Sequence, residues 1–528
     1  MSWLPREPIR YAPSAVRCSM RARRLLALHD GGVHRVARQC AEAVGDLLRG
    51  DDGHRDALRL RVVEGADVGE QEAQLDEEHA DDEGEGAGGE RAGGARAGHG
   101  VVHGPVSLWV SVFGTAASDF TSLPHRPLHS PLLALRARRG CRRAARPPTV
   151  GETSGMPAVL TRPALSRALL ARQFLLERAR MPVREAVEQL AGLQAQAPEP
   201  PYIALWSRLA DFDPGELSRL LESREVVRLS VMRGTVHLVS DRDALQLRAL
   251  TQPLHEAAAR TTRSARLAAA DPRQVAAAAR ALLAAEPLTG AELGDRLHTQ
   301  WPDEEPRALA MTARLLLPLV QIPPRGLWGR SGRPRVATAE NWLGRPPAAE
   351  PCVETMVLRY LGAFGPASVR DVQAWSGLTR LGEVVERLRP QLRVFADETG
   401  RELFDLPHAP RPDAEVPLPV RFLARYDSLV LAHADRSRIL DEPVRRTLAG
   451  RNGQVPGTFL VDGRVGGVWR SDTRRRTATL TLTPFGQLAD GTRQALAEEG
   501  ERLLRFVTDG APGPHSVTFA APAPPSPK

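Results

Sequence analysis

Beyond Met156, apolar residues return every three or four positions, and short β-branched runs separate these stretches. Thr161 and Pro163 offer a helix start, after which Leu165, Leu169, Phe174, Leu176 and Ala179 mix into one apolar face with arginines between. Val183, Val187 and Leu190 repeat at helical spacing, and the prolines of LQAQAPEPPY forbid continuation. A third short helix is predicted over 202–209. Asp213, Pro214 and Glu216 stand at the N-cap, N1 and N3 positions of a fourth. The run VVRLSVMRGTVHLV is β-branched and interrupted at Arg233-Gly234, which predicts a two-stranded wing. Helices followed by a hairpin give the outline of a winged helix-turn-helix.

That outline recurs. Gln274 to Ala285 predicts an Ala-rich helix, LTGAELGDRL a turn and helix, TARLLLPLV a further apolar helix, and IPPRGLWGRSGRPRVATAENWL a wing. TMVLRYLGAFGPASVRDVQAWSGL then predicts helix, Gly-Pro turn and helix, followed by the hairpin LRPQLRVFADETGRELFDLP. Strands are predicted at RFLARYDSLVLA, GTFLVDGRVGGVWR and TATLTLTPF, with a helix from about Gly491 to Val507. The expected fold is α+β and mainly helical. It has winged helices at 156–265, 266–348 and 349–412, a β-rich subdomain with a terminal helix at 413–512, and a disordered tail at 513–528.

Residues 1–155 show no sustained period, passing from Arg-rich pieces to an acidic, Gly-rich run. They read as a disordered extension, or as sequence upstream of a true start at Met156. Acidic and basic groups balance within them, so the whole formal net charge of +8 belongs to the later part. A modest positive excess favours a polyanionic partner. Among the 71 basic residues only Lys528 is lysine, and guanidinium forks bind phosphate bidentately. The four cysteines, Cys18, Cys40, Cys141 and Cys352, have no spacing suited to zinc or a disulfide framework. No apolar run approaches a membrane span and no secretory leader is evident, so a cytoplasmic protein is expected. A phosphate-binding Gly-rich loop, HExxH and GxSxG are all absent, which removes most support for ATP-driven or metal-hydrolase chemistry.

What remains distinctive is Gln194-Ala195-Gln196 followed by Pro198 and Trp206, then MRGTVHLV, FLARYDSLVLAHADRSRIL and VDGRVGGVWR. In order and spacing these pieces resemble the winged-helix proteins that include the AlkZ-type DNA glycosylases, over residues 156 to about 485. The resemblance implies three winged helices and a β-rich subdomain in a C-shaped body that grips duplex DNA as a monomer. It also implies an active-site Gln-x-Gln pair on Gln194 and Gln196. A sister group carries Asp in the second position; this chain has glutamine. The expected reaction is hydrolysis of the N-glycosidic bond of N7-alkylated or bulky purines, with no metal or organic cofactor. A glutamine amide cannot take a proton but can orient water, and a cationic alkylated base is already an activated leaving group. Gln194 is expected to hold the water and Gln196 to support it or the sugar; the sequence does not exclude the reverse assignment.

Candidate DNA contacts are Arg233 and His237 on the first wing, and Arg325, Arg330, Arg333 and Arg335 around Trp328 on the second. Arg425, Tyr426, Asp427, His433 and Arg436 form a polar cluster that either lines a DNA-facing cleft or makes an internal hydrogen-bond network. The run Arg474 to Arg476 reads as a solvated positive edge. The competing function is a winged-helix transcriptional regulator, which reads one sequence and does no chemistry.

Overall fold

The structure, a computed structural model, describes residues 157–262, 265–448, 455–474, 477–510 and 513–523, and two short strands before them. The chain divides into two compact units. The first comprises residues 1–65 and 86–132, and its described part is the antiparallel pair Arg61–Val62 and Val110–Ser111. The rest of the 1–155 extension and the pair Arg475-Arg476 lie outside the described residues. The second unit, residues 66–85 and 133–528, holds everything below.

Strand β1 (Val159–Leu160) leads into helix α1 (Arg162–Arg172), whose N-cap Thr161 accepts from the Ala164 amide at 3.4 Å. The order helix, strand, helix, helix, strand, strand then appears. In the first repeat it is α2 (Val183–Gln189), β2 (Leu193–Gln194), α3 (Pro200–Arg208), α4 (Pro214–Glu222), β3 (Val226–Ser230) and β4 (Val236–Ser240). Asp213 caps α4 through the Gly215 amide at 2.8 Å. Glu216 does not complete a capping box but reaches across to the Val183 amide at 2.9 Å, fixing α2 against α4.

Helix α5 (Asp241–Thr261) follows without a break, capped by Ser240 and containing Pro253. The second repeat is α6 (Pro272–Ala285), β5 (Leu288–Thr289), α7 (Gly290–His298), α8 (Pro306–Leu316), β6 (Leu319–Ile322) and β7 (Arg335–Thr338), with α9 (Ala339–Leu343) after it. The third has α10 (Val353–Phe364), an isolated bridge at Ala367, α11 (Val369–Ser376), α12 (Gly382–Leu388), β8 (Arg393–Asp397) and β9 (Glu402–Asp405).

The first two hairpins are not separate wings. Leu229 pairs with Val320 and Arg228 with Gln321, fusing them into one antiparallel six-stranded sheet of order β2-β4-β3-β6-β7-β5. The third hairpin is completed by β1, which adds parallel to β8. Each repeat packs around its own helices: Val187, Leu205 and Leu217 in the first, and Val275, Leu293 and Leu309 in the second. The third repeat shares a larger core with α5, the sheet and the segment 429–440, centred on Tyr360, Phe364 and Trp375.

The C-terminal part holds β10 (Arg421–Leu423), α13 (Glu442–Leu448), β11 (Gly457–Val461), β12 (Arg464–Arg474), β13 (Thr477–Pro484), α14 (Asp490–Val507) and β14 (His515–Phe519). The five strands form one sheet in chain order, covered by Leu496, Leu503 and Leu504 of α14. Two expectations are corrected here. The run from Arg421 is a strand for only three residues, because the chain turns at Tyr426 (φ 58°). Residues 515–519, expected in a disordered tail, form a strand parallel to β13, closing the sheet. Cys352 carries a disulfide bond, which the cysteine spacing does not foretell. Among the described residues no helix is long and apolar enough to cross a membrane.

Candidate active site

Helix α2 ends in two left-handed residues, Ala191 (φ 55°) and Gly192 (φ 88°). A Cβ on Gly192 would stand 2.7 Å from Cγ1 of Val239, so only glycine lets the chain pass this close to the sheet. It emerges as β2, the edge strand, with Gln194 opposite His237. The amide of Ala195 continues the pairing to the Val236 carbonyl at 2.8 Å, and the buried Arg228 donates to the Ala195 carbonyl at 2.9 Å. Gln194 is the last residue of β2, and Gln196 follows two positions on in a bend. The structure thus puts Gln194 on a pinned edge strand and Gln196 just beyond its end.

Each amide is held by a group that can only donate. Gln194 is 8% exposed, and its Oε1 accepts from Nη2 of Arg233 at 2.7 Å. Oε1 of the half-buried Gln196 accepts from the Val236 amide at 2.7 Å. Guanidinium and backbone N–H have no acceptor capacity, so both carbonyls must face them. Neither amide nitrogen has a hydrogen-bond partner among the described residues. The site thus offers two NH2 donors and, on each oxygen, one further lone pair.

Arg233 sits in the turn between β3 and β4 with φ 55°, and its Nη1 donates to the Trp375 carbonyl at 2.7 Å. The turn lies against Gly377, where a Cβ would meet the Arg233 Cα at 3.2 Å. Burial, and then the charge of Arg436, lower the Arg233 pKa to about 10, so it stays charged at neutral pH. Arg436 is itself lowered by burial and by Arg445. No carboxylate is paired with Arg233 or Arg436 among the described residues. Asp371 fixes the segment that carries Arg436: Oδ2 accepts from Ser368 at the start of α11, while Oδ1 accepts from the Ala434 amide at 3.0 Å. Two uncompensated guanidinium groups beside an oriented amide pair suit a phosphate-bearing ligand.

Residues 187–506 match the AlkZ-like family, described as DNA glycosylase AlkZ-like. The chain belongs to that family. A curated relative, the interstrand DNA cross-link repair glycosylase of Streptomyces sahachiroi, is 26% identical over 365 residues, covering 63% of this chain and 93% of the relative. The solved structure of the Streptomyces sahachiroi DNA glycosylase AlkZ shares the fold, with a TM-score of 0.56 at 19% identity, covering 68% of this chain and 100% of that one.

Several residues expected at the DNA surface of this AlkZ-like chain lie inside it. His237 is buried; its Nδ1 donates to the Thr235 carbonyl at 2.9 Å, and burial and then Arg233 lower its pKa to about 3. Asp427 makes a bidentate buried pair with Arg208 at 2.7 and 2.9 Å, and Tyr426 is buried beside it with Arg425 over its ring at 5.6 Å. His433 donates from Nε2 to the Phe364 carbonyl at 3.0 Å and is also lowered to about 3, by burial and then by Arg438. For Asp427, Tyr426 and His433 the internal network is the one observed, because buried side chains in these contacts cannot reach a phosphate.

On the second wing, Arg335 is tied to Glu292 and to the Pro287 carbonyl, and Arg325 to the Gly332 carbonyl, whereas Arg330 and Arg333 are exposed. The Trp328 ring is structural, lying 4.9 Å from both Tyr202 and Phe506. Sequence reasoning missed Arg228, Asp371 and Trp375. Only Arg228, a charge inside an otherwise apolar strand, left a signal.

Proposed function

We propose that this AlkZ-like chain hydrolyses the N-glycosidic bond of N7-alkylated or bulky purines in duplex DNA, leaving an abasic site. Interstrand crosslinks made through such purines fall within this range, in keeping with the printed name of the curated relative. The three repeated units act as tandem winged helices that hold the duplex. Arg436, with the exposed Arg330 and Arg333, meets its phosphates.

The observation that carries the reading is the fixed orientation of the two amides. Gln194 Oε1 keeps one lone pair after its bond to Arg233 and takes a water O–H there. The Gln196 amide donates to the sugar or to the same water. Neither amide removes a proton, and none need be removed before attack, because the alkylated base departs as a neutral molecule. Catalysis is then proximity and electrostatic positioning, for which this chain's residues need no metal or organic group.

Release of 7-methylguanine from methylated duplex DNA, or unhooking of a nitrogen-mustard crosslink, tests the proposal. Wild-type protein releases base, and the double variant Gln194→Ala/Gln196→Ala binds DNA equally well but releases none. Binding to one preferred sequence with no base release would instead identify a regulator.

A further inference from the structure

His237 stands directly across the strand pair from Gln194. The Ala195 amide donates to the Val236 carbonyl, so the next pair along, Gln194 and His237, is the non-hydrogen-bonded kind, whose side chains stand closest. Leu193, Ala195, Val236 and Leu238 all belong to the core of the first repeat. Alternation along a strand therefore turns Gln194 and His237 to the opposite face. On that face Val239 and Leu229 join the core shared with Trp375.

The Thr235 carbonyl fixes which nitrogen of His237 carries the hydrogen. A carbonyl only accepts, so Nδ1, 2.9 Å from it, is the donor, and the neutral ring keeps a lone pair on Nε2. Burial, and then the Arg233 charge, keep the ring neutral, with its pKa lowered to about 3. His237 is 1% exposed, and its Nε2 has no hydrogen-bond partner among the described residues. Buried polar atoms without a partner are rare enough that each needs a reason. On the same face, the Gln194 NH2 group is a donor without an acceptor among the described residues.

We propose that His237 is a positioning residue for the reaction: with duplex bound, its Nε2 accepts a hydrogen bond from the Gln194 amide. The inference rests on the glycosylase reading and adds what holds the second end of the amide that guides the water. A duplex seated over the edge strand removes bulk water from Gln194, and its NH2 group then needs a protein acceptor. Arg233 and His237 demand the same orientation of that amide. The guanidinium can only donate and holds Oε1, while the imidazole lone pair can only accept and suits the Gln194 N–H. A flipped amide would set donor against donor and acceptor against acceptor. Arg233, Gln194, His237 and the Thr235 carbonyl then form one chain of hydrogen bonds that begins and ends at the same turn. One lone pair of Oε1 and one N–H of Gln194 remain for the water and the sugar.

Nitrogen NMR of the histidine-labelled full chain, run beside single-turnover release from methylated duplex, tests the inference. In wild-type protein the His237 Nε2 signal is that of an unprotonated ring nitrogen. It moves toward hydrogen-bonded values on binding a methylated duplex whose 2′-fluoro sugar resists cleavage, and Gln194→Ala abolishes that movement. His237→Leu slows release roughly tenfold at unchanged DNA affinity, the worth of one hydrogen bond. Two amide substitutions separate positioning from a purely structural role. His237→Gln sets a carbonyl oxygen where Nε2 stood and recovers most of the rate, whereas His237→Asn reaches only the Nδ1 position, keeps the Thr235 contact, and does not. Rescue by asparagine and not by glutamine would show that only the Thr235 contact matters and would overturn the inference, as would an Nε2 signal indifferent to Gln194→Ala. Release that all three His237 variants leave intact also overturns it while the glycosylase reading stands. An Nε2 movement that needs Gln194, in a protein that releases no base, overturns the glycosylase reading and leaves the contact standing. Should His237→Leu fail to fold, the amide pair and the NMR of wild type against Gln194→Ala decide.

Discussion

Replacing Asp427 by alanine separates an interior role for this residue from a DNA-facing one. The Arg208 and Asp427 side chains are 0% and 2% exposed, with contacts of 2.7 and 2.9 Å, and Asp427 also accepts from the Leu429 amide at 3.0 Å. The variant strands a buried guanidinium whose remaining acceptors are the Ala204 carbonyl at 3.0 Å and Gln173 Oε1 at 3.3 Å. Removing one partner of such a pair costs about 3–5 kcal/mol, and the lost cap adds about 1 kcal/mol. The expected destabilisation is therefore roughly 4–6 kcal/mol, read as the shift of the urea midpoint multiplied by the denaturant slope. The double variant Arg208→Met/Asp427→Leu recovers most of it, since an apolar pair of similar volume is often neutral against a buried ion pair. DNA affinity and its salt dependence, measured below the transition, stay at wild-type values. An Asp427→Ala protein within 1 kcal/mol of wild type, binding DNA more tightly because a negative charge has left the interface, would refute the assignment.

Arg233→Met removes the charged donor that orients Gln194 while keeping a non-glycine residue in the turn. A hydrogen bond from a charged group is worth about 1.5–3 kcal/mol, so single-turnover base release falls roughly 10- to 150-fold; a loss under threefold would show that the amide needs no such anchor. Acid weakens the fold through His237 and His433, whose folded pKa of about 3 lies below the unfolded value. The unfolded chain takes up these protons as pH falls through about 6.5 and the folded one does not. Stability present at neutral pH is thus lost toward pH 3, by up to about 1.4 kcal/mol per pH unit for each histidine. The urea midpoint drops between pH 7 and pH 5, and equal midpoints would contradict the buried, neutral rings.

Legibility in the sequence followed the chemistry of each element. Helices with an apolar stripe and a proline or hydroxyl start were readable, as α2, α4 and α6 show. Helix α5 was not, because its buried face carries Arg248, Thr251 and His255 among the apolar residues and Pro253 interrupts it. Hairpins were readable from β-branched runs around Arg233-Gly234 and Thr399-Gly400, but their fusion into a six-stranded sheet rests on long-range pairing that no local pattern encodes. The strand at 515–519 was hidden for the same reason: alone it is five residues of a Pro- and Ala-rich end, and β13 supplies its partner. At the site, the resemblance picked out Gln194 and Gln196. What orients them, a guanidinium held by the Trp375 carbonyl and a backbone amide on β4, comes from elements up to 181 residues further along the chain and needed the fold.

The arginine content illustrates how composition alone overstates a surface. Arginine reads as phosphate-binding charge, yet many of these side chains serve as interior fasteners. Arg172 joins Asp405 and the Leu361 carbonyl, Arg248 the carbonyls of Leu315 and Leu317, and Arg438 that of Pro366. A guanidinium suits this work because it presents five donors and no acceptor, so one side chain satisfies the orphan carbonyls at a helix C-terminus while reaching a neighbouring module. The charge left for DNA is correspondingly narrower than a net +8 suggests. Among the described residues, Arg233 and Arg436 have no carboxylate partner, and Arg330 and Arg333 are exposed. Affinity for undamaged duplex should then depend less steeply on salt than an arginine count would imply, because only phosphates actually neutralised release counterions. The interior arginines hold the repeats in register, and through Arg228 and Arg233 that same scaffolding sets the two amides in place.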